Sequence, residues 1–306
     1  MSLKGTRIID LTRVISGPFC TQQLADLGAD VIKVEGPKGD PLREQGSKIG
    51  GMSAYFASFN RNKRSVVLDL RKTEEMDKLK KLISGSDMLV DNFKPGTMAK
   101  MGLSDPVLEK LNPRLIVCHI SGFGQTGPYA KRPSFDFVAQ AMSGFMWTNG
   151  EADGPPLRSG LPISDLVAGL YAALGCAAAL AVPATQRTFK SIDIAMTDSM
   201  VSLLAYMATE VFATGQTLPR AGNDHPLVAP YGLFETSDGH IAIAVSNDQI
   251  VDRLFRLLEC RHLLDDPRFA NNEARVQHRD EIRAEIQSRL IGQTTEVWLA
   301  RLNDAG

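Results

Sequence analysis

Short apolar runs alternate with amphipathic stretches along the first two thirds of the chain. The apolar runs, which are typical of buried strands, occupy residues 7–12, 31–35, 65–70, 88–93, 115–121 and 191–195. Helices are predicted between them, for example over 17–27 and 73–83. Strands that alternate with helices form right-handed βαβ units. The pattern therefore predicts an α/β protein with a Rossmann-like open parallel sheet, in which ligands bind beyond the carboxyl ends of the strands.

The longest apolar run, 166–182, follows a loop rich in Pro and Gly and has one carboxylate, Asp165, at its start. Asp165 or Ser164 could cap the helix that follows, because short oxygen-bearing side chains accept its unpaired N–H groups. Alternatively, Asp165 is a nucleophile held at the edge of an apolar cavity. The run is long enough to cross a membrane, but it is rich in Ala and Gly and lacks basic or aromatic flanks. We therefore predict that this run forms a helix buried on all sides within a soluble protein. No membrane partner is expected for the protein.

The pattern changes after residue 214. A helix rich in Met, Leu and Ala is predicted over 198–213, in the core or at a subunit interface. Residues 215–230 have Gly and Pro without periodicity, which favours a linker. Beyond it, two alternating runs flank Ser237-Asp-Gly and predict a hairpin, with helices following. We expect a large domain over 1–214 and a smaller α+β domain over 231–306.

Composition and charge exclude several classes. The 306 residues are 43% hydrophobic with a net charge of −1, which argues against a general nucleic-acid or acidic-membrane binder. The four cysteines are Cys20, Cys118, Cys176 and Cys260, and they form no C-x-x-C pair. We expect their side chains to be buried in the fold and the protein to reside in a reducing compartment. The N-terminus has no apolar signal region, so we expect a cytoplasmic protein, with the mitochondrial matrix as the alternative.

Motifs for the common cofactors and nucleophiles are missing from the sequence. The five His have no ligand spacing, so no metal is expected. G-x-G-x-x-G, G-x-S-x-G and the Walker loop do not occur. A basic cluster does surround the run 65–70, and comprises Arg61, Lys63, Arg64, Arg71 and Lys72. It is either a solvated face with ordinary ion pairs or a phosphate-binding site.

Six segments, in this order, carry a family resemblance. They are DLTRVISGP (10–18), LGADVIKVE (27–35), NRNKRS (60–65), NFKPG (92–96), SGFGQTGP (121–128) and SDLVAGL (164–170). Together they closely resemble the class III CoA-transferases, a family that includes formyl-CoA transferase, carnitine CoA-transferase and α-methylacyl-CoA racemase. The resemblance runs the whole length of the chain.

The resemblance implies a large α/β domain, a small domain and an interlocked homodimer, with a further segment beyond Gly306 that returns to the large domain. It implies coenzyme A and acyl-CoA as substrates, together with a carboxylic acid. The catalytic aspartate of the family corresponds to Asp165, which would form a mixed anhydride and then an aspartyl-CoA thioester. A supporting acidic residue corresponds to Asp136, for which a helix cap is the alternative.

The CoA-contacting positions of the family correspond to residues at three predicted strand ends and in the helix after 92–96. They are Val14, Ile15, Ser16, Leu68, Arg71, Asn92, Phe93, Lys100 and Met101.

Phe135 favours transfer over racemisation. The racemase has a His at this position as its second base, and a phenyl ring cannot move a proton. A transferase that handles small dicarboxylates is expected, with Arg158 and Arg220 as candidate partners of a second carboxylate. The alternatives are an α-methylacyl-CoA racemase and a non-catalytic CoA-binding protein in which Asp165 is only a helix cap.

Overall fold

The structure is a computed structural model, describes residues 2–306 and divides into two compact units. The first unit extends to Met146 and includes Arg158–Ala208, and the second contains Trp147–Leu157 and Thr209–Gly306. The predicted linker 215–230 is thus grouped with the C-terminal unit. Separate folding of residues 1–214 and 231–306 stays a prediction.

The first unit contains the parallel sheet and the helices that cover it. Its strands are β1 (Arg7–Asp10), β2 (Asp30–Glu35), β3 (Lys48–Ile49), β4 (Met52–Ser53), β5 (Lys63–Val67), β6 (Met88–Asp91), β7 (Ile116–Ser121) and β8 (Lys190–Ala195). Its helices are α1 (Ser16–Asp26), α2 (Ala54–Asn60), α3 (Thr73–Ser84), α4 (Thr97–Lys100), α5 (Asp105–Leu111), α6 (Asp136–Met142), α7 (Ile163–Leu180) and α8 (Met196–Ser202). Helix α9 (Tyr206–Thr214) runs across the division between the units.

Six strands form one parallel sheet in the order β5-β2-β1-β6-β7-β8. The small antiparallel pair β3–β4 lies outside it. This confirms the predicted Rossmann-like architecture. The strand order changes direction between β1 and β6, and at such a point the two following loops diverge and leave a crevice at the carboxyl edge. The loop after β1 and the residues after β6 are therefore placed where a ligand binds.

Both faces of the sheet are covered, which explains why β6 and β7 are buried along their whole length. Successive residues contribute to opposite cores: Ile8 packs on the side of α1 and α7, and Ile9 packs on the side of α3 and α5. As predicted, the four cysteines are free and buried.

The prediction that residues 166–182 are buried on all sides is wrong. Helix α7 buries a face of small residues that includes Ala168, Ala172 and Cys176, but Leu170 and Leu174 are 50% and 67% exposed. The small side chains lie on the face of α7 that packs against the rest of the chain, whereas the larger apolar side chains of Leu170 and Leu174 point outward. By length and composition alone, α7 passes the test for a membrane-spanning helix, and 44% of it is buried inside the protein.

The predicted helix over 198–213 is also wrong in detail. It is interrupted between α8 and α9, where Ala205 has φ of 45°. None of the side chains of α9 is buried, so this segment does not belong to the core. Sequence periodicity also missed α2 and α5, each of only seven residues, whereas a helix does start at Asp136, as the cap alternative for this residue expected.

The second unit contains the predicted hairpin, β9 (Tyr231–Glu235) paired antiparallel with β10 (His240–Ala244). Its helices are α10 (Asp248–Leu257), α11 (Asn272–Gln277), α12 (Arg279–Leu290) and α13 (Thr295–Ala305). They pack on the hairpin around a core that includes Phe234, Phe255 and Trp298. This arrangement confirms the α+β character predicted for the C-terminal part.

Candidate active site

Asn92 connects the two loops at the point where the strand order changes direction. Its Oδ1 accepts from the backbone N–H of Arg13 at 3.0 Å, and its Nδ2 donates to the Arg13 carbonyl at 2.7 Å and to Ser16 Oγ at 3.3 Å. The guanidinium of Arg13 lies 5.7 Å from the ring centre of Phe93. The residues after β6 therefore hold the loop after β1 in one conformation.

That loop contains a strained residue. Val14 has φ of 68°, a conformation that a β-branched side chain rarely adopts and that the surroundings must enforce. Its N–H lies 3.3 Å from Oδ2 of Asp40, which forms a buried ion pair of 3.0 Å with Lys33. Lys33 also donates to the carbonyl of Thr12 at 2.8 Å. A buried ion pair beneath the loop thus fixes the backbone that leads to α1.

Asp10, at the end of β1, reinforces this arrangement. Its carboxylate accepts from the backbone and hydroxyl of Thr12 and from Thr21 Oγ1, and pairs with Lys63 at 3.1 Å. Burial opposes ionisation, but Lys63, Lys33 and the two threonine hydroxyls lower the pKa of Asp10 to about 2. Asp10 is therefore a structural anion at neutral pH.

Asp165 is the third residue of α7, and the backbone N–H and the hydroxyl of Ser16, the first residue of α1, lie close enough to its carboxylate to lower its pKa. The nucleophile candidate thus lies between the N-terminal ends of two helices, where the peptide dipoles stabilise an anion. The helix cap expected at this position is not formed by Asp165 or Ser164, because the N-cap residue of α7 is Pro162, which makes no side-chain cap.

The carboxylate that satisfies the start of α7 is that of Asp136. Its Oδ1 accepts from the N–H and the hydroxyl of Ser164, both at 2.9 Å, and its Oδ2 accepts from Gln140 Nε2 at 2.7 Å. Asp136 therefore acts as a cap, but for α7 and not for the helix that it begins. Because Ser164 precedes Asp165 in the chain, this position of Asp136 is compatible with a role in supporting Asp165.

The environment makes Asp165 harder to ionise than an ordinary carboxyl. Burial, followed by the negative charge of Asp136, raises the pKa of Asp165 to about 7, against the lowering effect of the hydroxyl and the backbone N–H of Ser16. A carboxylate that is partly desolvated and not paired with a cation keeps more of its nucleophilicity than a solvated one. At neutral pH a substantial fraction of Asp165 is ionised and available for attack.

Helices α1 and α7 approach closely at Gly169. A Cβ at this position would lie 2.7 Å from the Ser16 carbonyl oxygen and 3.1 Å from Cδ1 of Phe19. Only Gly allows this approach, and it brings the start of α1 at Ser16 next to α7, one helical turn after Asp165.

A cavity of about 560 Å³ opens at the carboxyl ends of β1, β2, β5 and β6. Leu11, Thr12 and Arg13 line it on the side that leads to Ser16, and three of the predicted CoA contacts, Leu68, Arg71 and Phe93, line the remainder with the loop after β2. The volume is within the range of ligand-binding clefts.

The other predicted CoA contacts fall into two groups. Val14, Ile15, Ser16 and Asn92 belong to the loop junction between the cavity and Asp165. Lys100, at the end of α4, is exposed, Met101 follows it half-buried, and neither lines the cavity.

The predicted basic cluster is mostly paired with carboxylates. Arg61 bonds Asp26, Lys63 bonds Asp10, Arg64 bonds Asp30 and Arg71 bonds Asp69. The cluster is therefore chiefly a face with ordinary ion pairs, and Arg71 is the member that borders the cavity.

Metal ligands are not assembled anywhere in residues 2–306: no group of three or more His, Cys, Asp or Glu side chains could hold an ion. Arg220, suggested as a carboxylate partner, instead donates to the carbonyls of Glu151 and Gly154 and stacks on Trp147 within the second unit. Arg158, assigned to the first unit, is exposed.

Comparison with known proteins agrees with this geometry. The family model described as CoA-transferase family III matches residues 3–306. The chain belongs to CoA-transferase family III. A succinate–glutarate CoA-transferase of Agrobacterium fabrum is 39% identical, with 94% of this chain and 74% of the relative covered. An acetyl-CoA:oxalate CoA-transferase of Acetobacter aceti is 40% identical, with 99% and 78% covered.

Solved structures of the family have the same fold. A CAIB/BAIF family protein from Brucella suis superposes with a TM-score of 0.87 at 39% identity, covering 99% of this chain and 82% of that one. Rv3272 from Mycobacterium tuberculosis gives 0.88 at 30% identity with the same coverage. The chain is thus a class III CoA-transferase, and the resemblance derived from its motifs is confirmed.

Sequence reasoning missed several residues that shape the family site in this chain. A lysine inside the apolar run Val31–Val34 indicates a buried ion pair, and it forms one with Asp40. Gly169 inside an apolar helix indicates close packing. No sequence signal placed Tyr55, whose side chain packs beside Ile15 and Leu166.

Proposed function

We propose that this protein transfers CoA from an acyl-CoA to a carboxylic acid, with Asp165 as the nucleophile. The observation that carries the proposal is the setting of Asp165: a half-buried carboxylate that has no cationic partner among residues 2–306 and lies beside Ser16, at the end of the loop that lines the cavity. Structural carboxylates in this protein, such as Asp10 and Glu35, are instead paired with cations.

The chemistry has two halves. In the first, an oxygen of Asp165 attacks the thioester carbon, the carbon–sulfur bond breaks, and CoA leaves as a thiolate while an acyl-aspartyl anhydride remains. The thiolate then attacks the aspartyl carbonyl, which releases the first acid and leaves an aspartyl-CoA thioester. The incoming acid reverses both steps. Each attack needs a fixed, partly desolvated carboxylate and hydrogen-bond donors for the developing oxyanion.

We propose the cavity at the carboxyl edge of the sheet as the CoA site. Arg71 would pair with a phosphate, Leu68 and Phe93 would supply apolar contacts, and the junction of Val14, Ile15 and Ser16 with Asn92 would guide the thioester arm toward Asp165. Lys100 and Met101 would contact the outer part of the cofactor.

The acids are proposed to be small dicarboxylates. This rests on relatives that act on succinate, glutarate and oxalate, as their names state. A panel of succinyl-CoA, formyl-CoA and acetyl-CoA against succinate, glutarate, oxalate and monocarboxylates, followed by chromatography of the CoA esters, tests it. Transfer restricted to monocarboxylates contradicts the substrate class, and full activity of Asp165→Ala contradicts the mechanism.

Racemisation remains the competing activity within the family. The residue that would supply a second base is Phe135, which is 76% exposed and has no ionisable group. Proton exchange at the α-carbon from deuterated water without any acceptor acid supports a racemase and contradicts the transferase. CoA binding without transfer or exchange would indicate a non-catalytic protein.

We also propose that the protein is a homodimer, in the cytoplasm or the mitochondrial matrix. Support for the dimer comes from the apolar side chains that one chain leaves exposed on and beside α6 and α7, namely Phe135, Phe137, Met142, Leu170 and Leu174. The four free cysteines fit a reducing compartment. Light scattering on the purified protein measures the subunit number, and a monomer at micromolar concentration contradicts the first proposal.

A further inference from the structure

Tyr55 packs in the same apolar cluster as Leu166, the residue that follows Asp165. It is the second residue of α2, and its ring packs in the small apolar cluster that includes Ile15 and Leu166. Ile15 precedes Ser16 and Leu166 follows Asp165, so the cluster contains a chain neighbour of each of these two residues. The ring is also 5.9 Å from that of Phe59, which fixes its position from the other side.

The electrostatic environment agrees with this placement. Burial, followed by the charges of Asp165 and Asp136, raises the pKa of Tyr55 above its ordinary value of 10. The phenol therefore stays protonated at any pH at which the enzyme works. Within residues 2–306 its hydroxyl makes no hydrogen bond, and the side chain is half-exposed. A neutral donor of this kind, with no partner in the folded chain, is available to a bound molecule.

We propose that Tyr55 is a catalytic residue that donates a hydrogen bond to the acyl oxygen while Asp165 attacks the thioester. This rests on the transferase mechanism proposed above. As the Asp165 oxygen bonds to the carbonyl carbon, negative charge develops on the acyl oxygen. The Tyr55 O–H stabilises this charge without giving up its proton. When the carbon–sulfur bond breaks, the charge leaves with the CoA thiolate and the hydrogen bond returns to its initial strength.

The distribution of charge at the site gives this donor its importance. The carboxyl groups of Asp165 and Asp136 are neighbours at this site, and within residues 2–306 neither is paired with a cation. An oxyanion that forms beside them needs a donor, and a phenol supplies one without neutralising the nucleophile. An Arg or Lys in this place would pair with Asp165, lower its pKa and weaken its attack.

The decisive variant is Tyr55→Phe, which keeps the ring in its apolar cluster and removes only the hydroxyl. We expect kcat to fall by about 10²-fold, since loss of one oxyanion donor has effects of that order, while KM for the acyl-CoA changes less than threefold. Tyr129→Phe is the matched control, because Tyr129 stacks on Phe123 and Arg132. Its kcat should equal that of the wild type. A kcat of Tyr55→Phe within twofold of the wild type overturns the proposal.

A second readout separates this inference from the transferase mechanism. In protein labelled with ¹³Cζ-tyrosine, the resonance absent from Tyr55→Phe is that of Tyr55, and its titration reports the charges around it. Asp165→Asn should lower the pKa of Tyr55 toward the ordinary value. If no acyl-CoA and acid pair is turned over by the wild type, the mechanism fails, yet this titration still decides whether Tyr55 faces Asp165. A pKa that does not change in Asp165→Asn overturns the placement.

Discussion

Substitution of Gly169 by Ala tests whether the distance between α1 and α7 controls the nucleophile. The added Cβ would lie 2.7 Å from the Ser16 carbonyl oxygen, and ordinary contacts between these atoms are no shorter than about 3.3 Å. The helices must therefore separate by roughly half an ångström, which changes the position of Ser16 relative to Asp165. A misplacement of this order can reduce a rate by up to about 10²-fold.

The same substitution should affect stability much less. Overpacking costs about 1–3 kcal/mol, and replacement of Gly by Ala within a helix restores about 1 kcal/mol. We therefore expect Gly169→Ala to unfold in urea within about 2 kcal/mol of the wild type while kcat falls by one to two orders of magnitude.

Gly175→Ala on the same helix is the control, because its Cβ would meet Ile192 at an ordinary 3.6 Å. It should keep full activity and become slightly more stable. Wild-type kcat in Gly169→Ala, at the same temperature and saturating substrate, would refute the reasoning.

Three further outcomes follow from the site. Ser16→Ala removes a hydroxyl that lowers the pKa of Asp165, so the acid limb of kcat/KM should move to higher pH. Asp136→Asn removes a neighbouring negative charge, so the acid limb should move to lower pH. Shifts of the acid limb in the same direction in both variants contradict both assignments. Because the pKa of Asp165 rises from 3.8 to about 7 on folding, its ionisation destabilises the native state above pH 4, increasingly until about pH 7. Asp165→Asn should therefore be more stable than the wild type at pH 8, by at most about 4 kcal/mol, and not at pH 4 in urea titrations. Arg71→Met should weaken CoA binding in calorimetry, whereas Arg64→Met, which loses a pair with Asp30, should not.

The sheet was predictable because its physical requirements appear locally in the sequence. Strands covered on both faces are largely apolar, and β6 and β7 are apolar except for Asp91, His119 and Ser121 toward their carboxyl ends. The positions after β1 and β6 could be assigned to a ligand site because parallel strands bring their carboxyl ends to one edge. The hairpin was predictable for the same reason, because its turn signal, Ser237-Asp-Gly, lies in three consecutive residues.

Features that depend on contacts between distant segments were not predictable in this way. The Lys33–Asp40 pair, the cap that Asp136 provides to α7 and the position of Tyr55 each join segments whose separation only the fold determines. The outer face of α7 was wrongly predicted to be buried, since an apolar helix has the same composition whether its covering surface belongs to its own chain or to another.

The central claim is that Asp165 becomes covalently attached to CoA, and mass spectrometry of the peptides from the digested protein tests it most directly. The protein is mixed with an acyl-CoA in the absence of acceptor acid, quenched with acid and digested. The account predicts a CoA adduct on the peptide that contains Asp165, its replacement by a hydroxamate after hydroxylamine, and neither product in Asp165→Ala. An adduct on another residue, or full transfer activity without any adduct at Asp165, would contradict it.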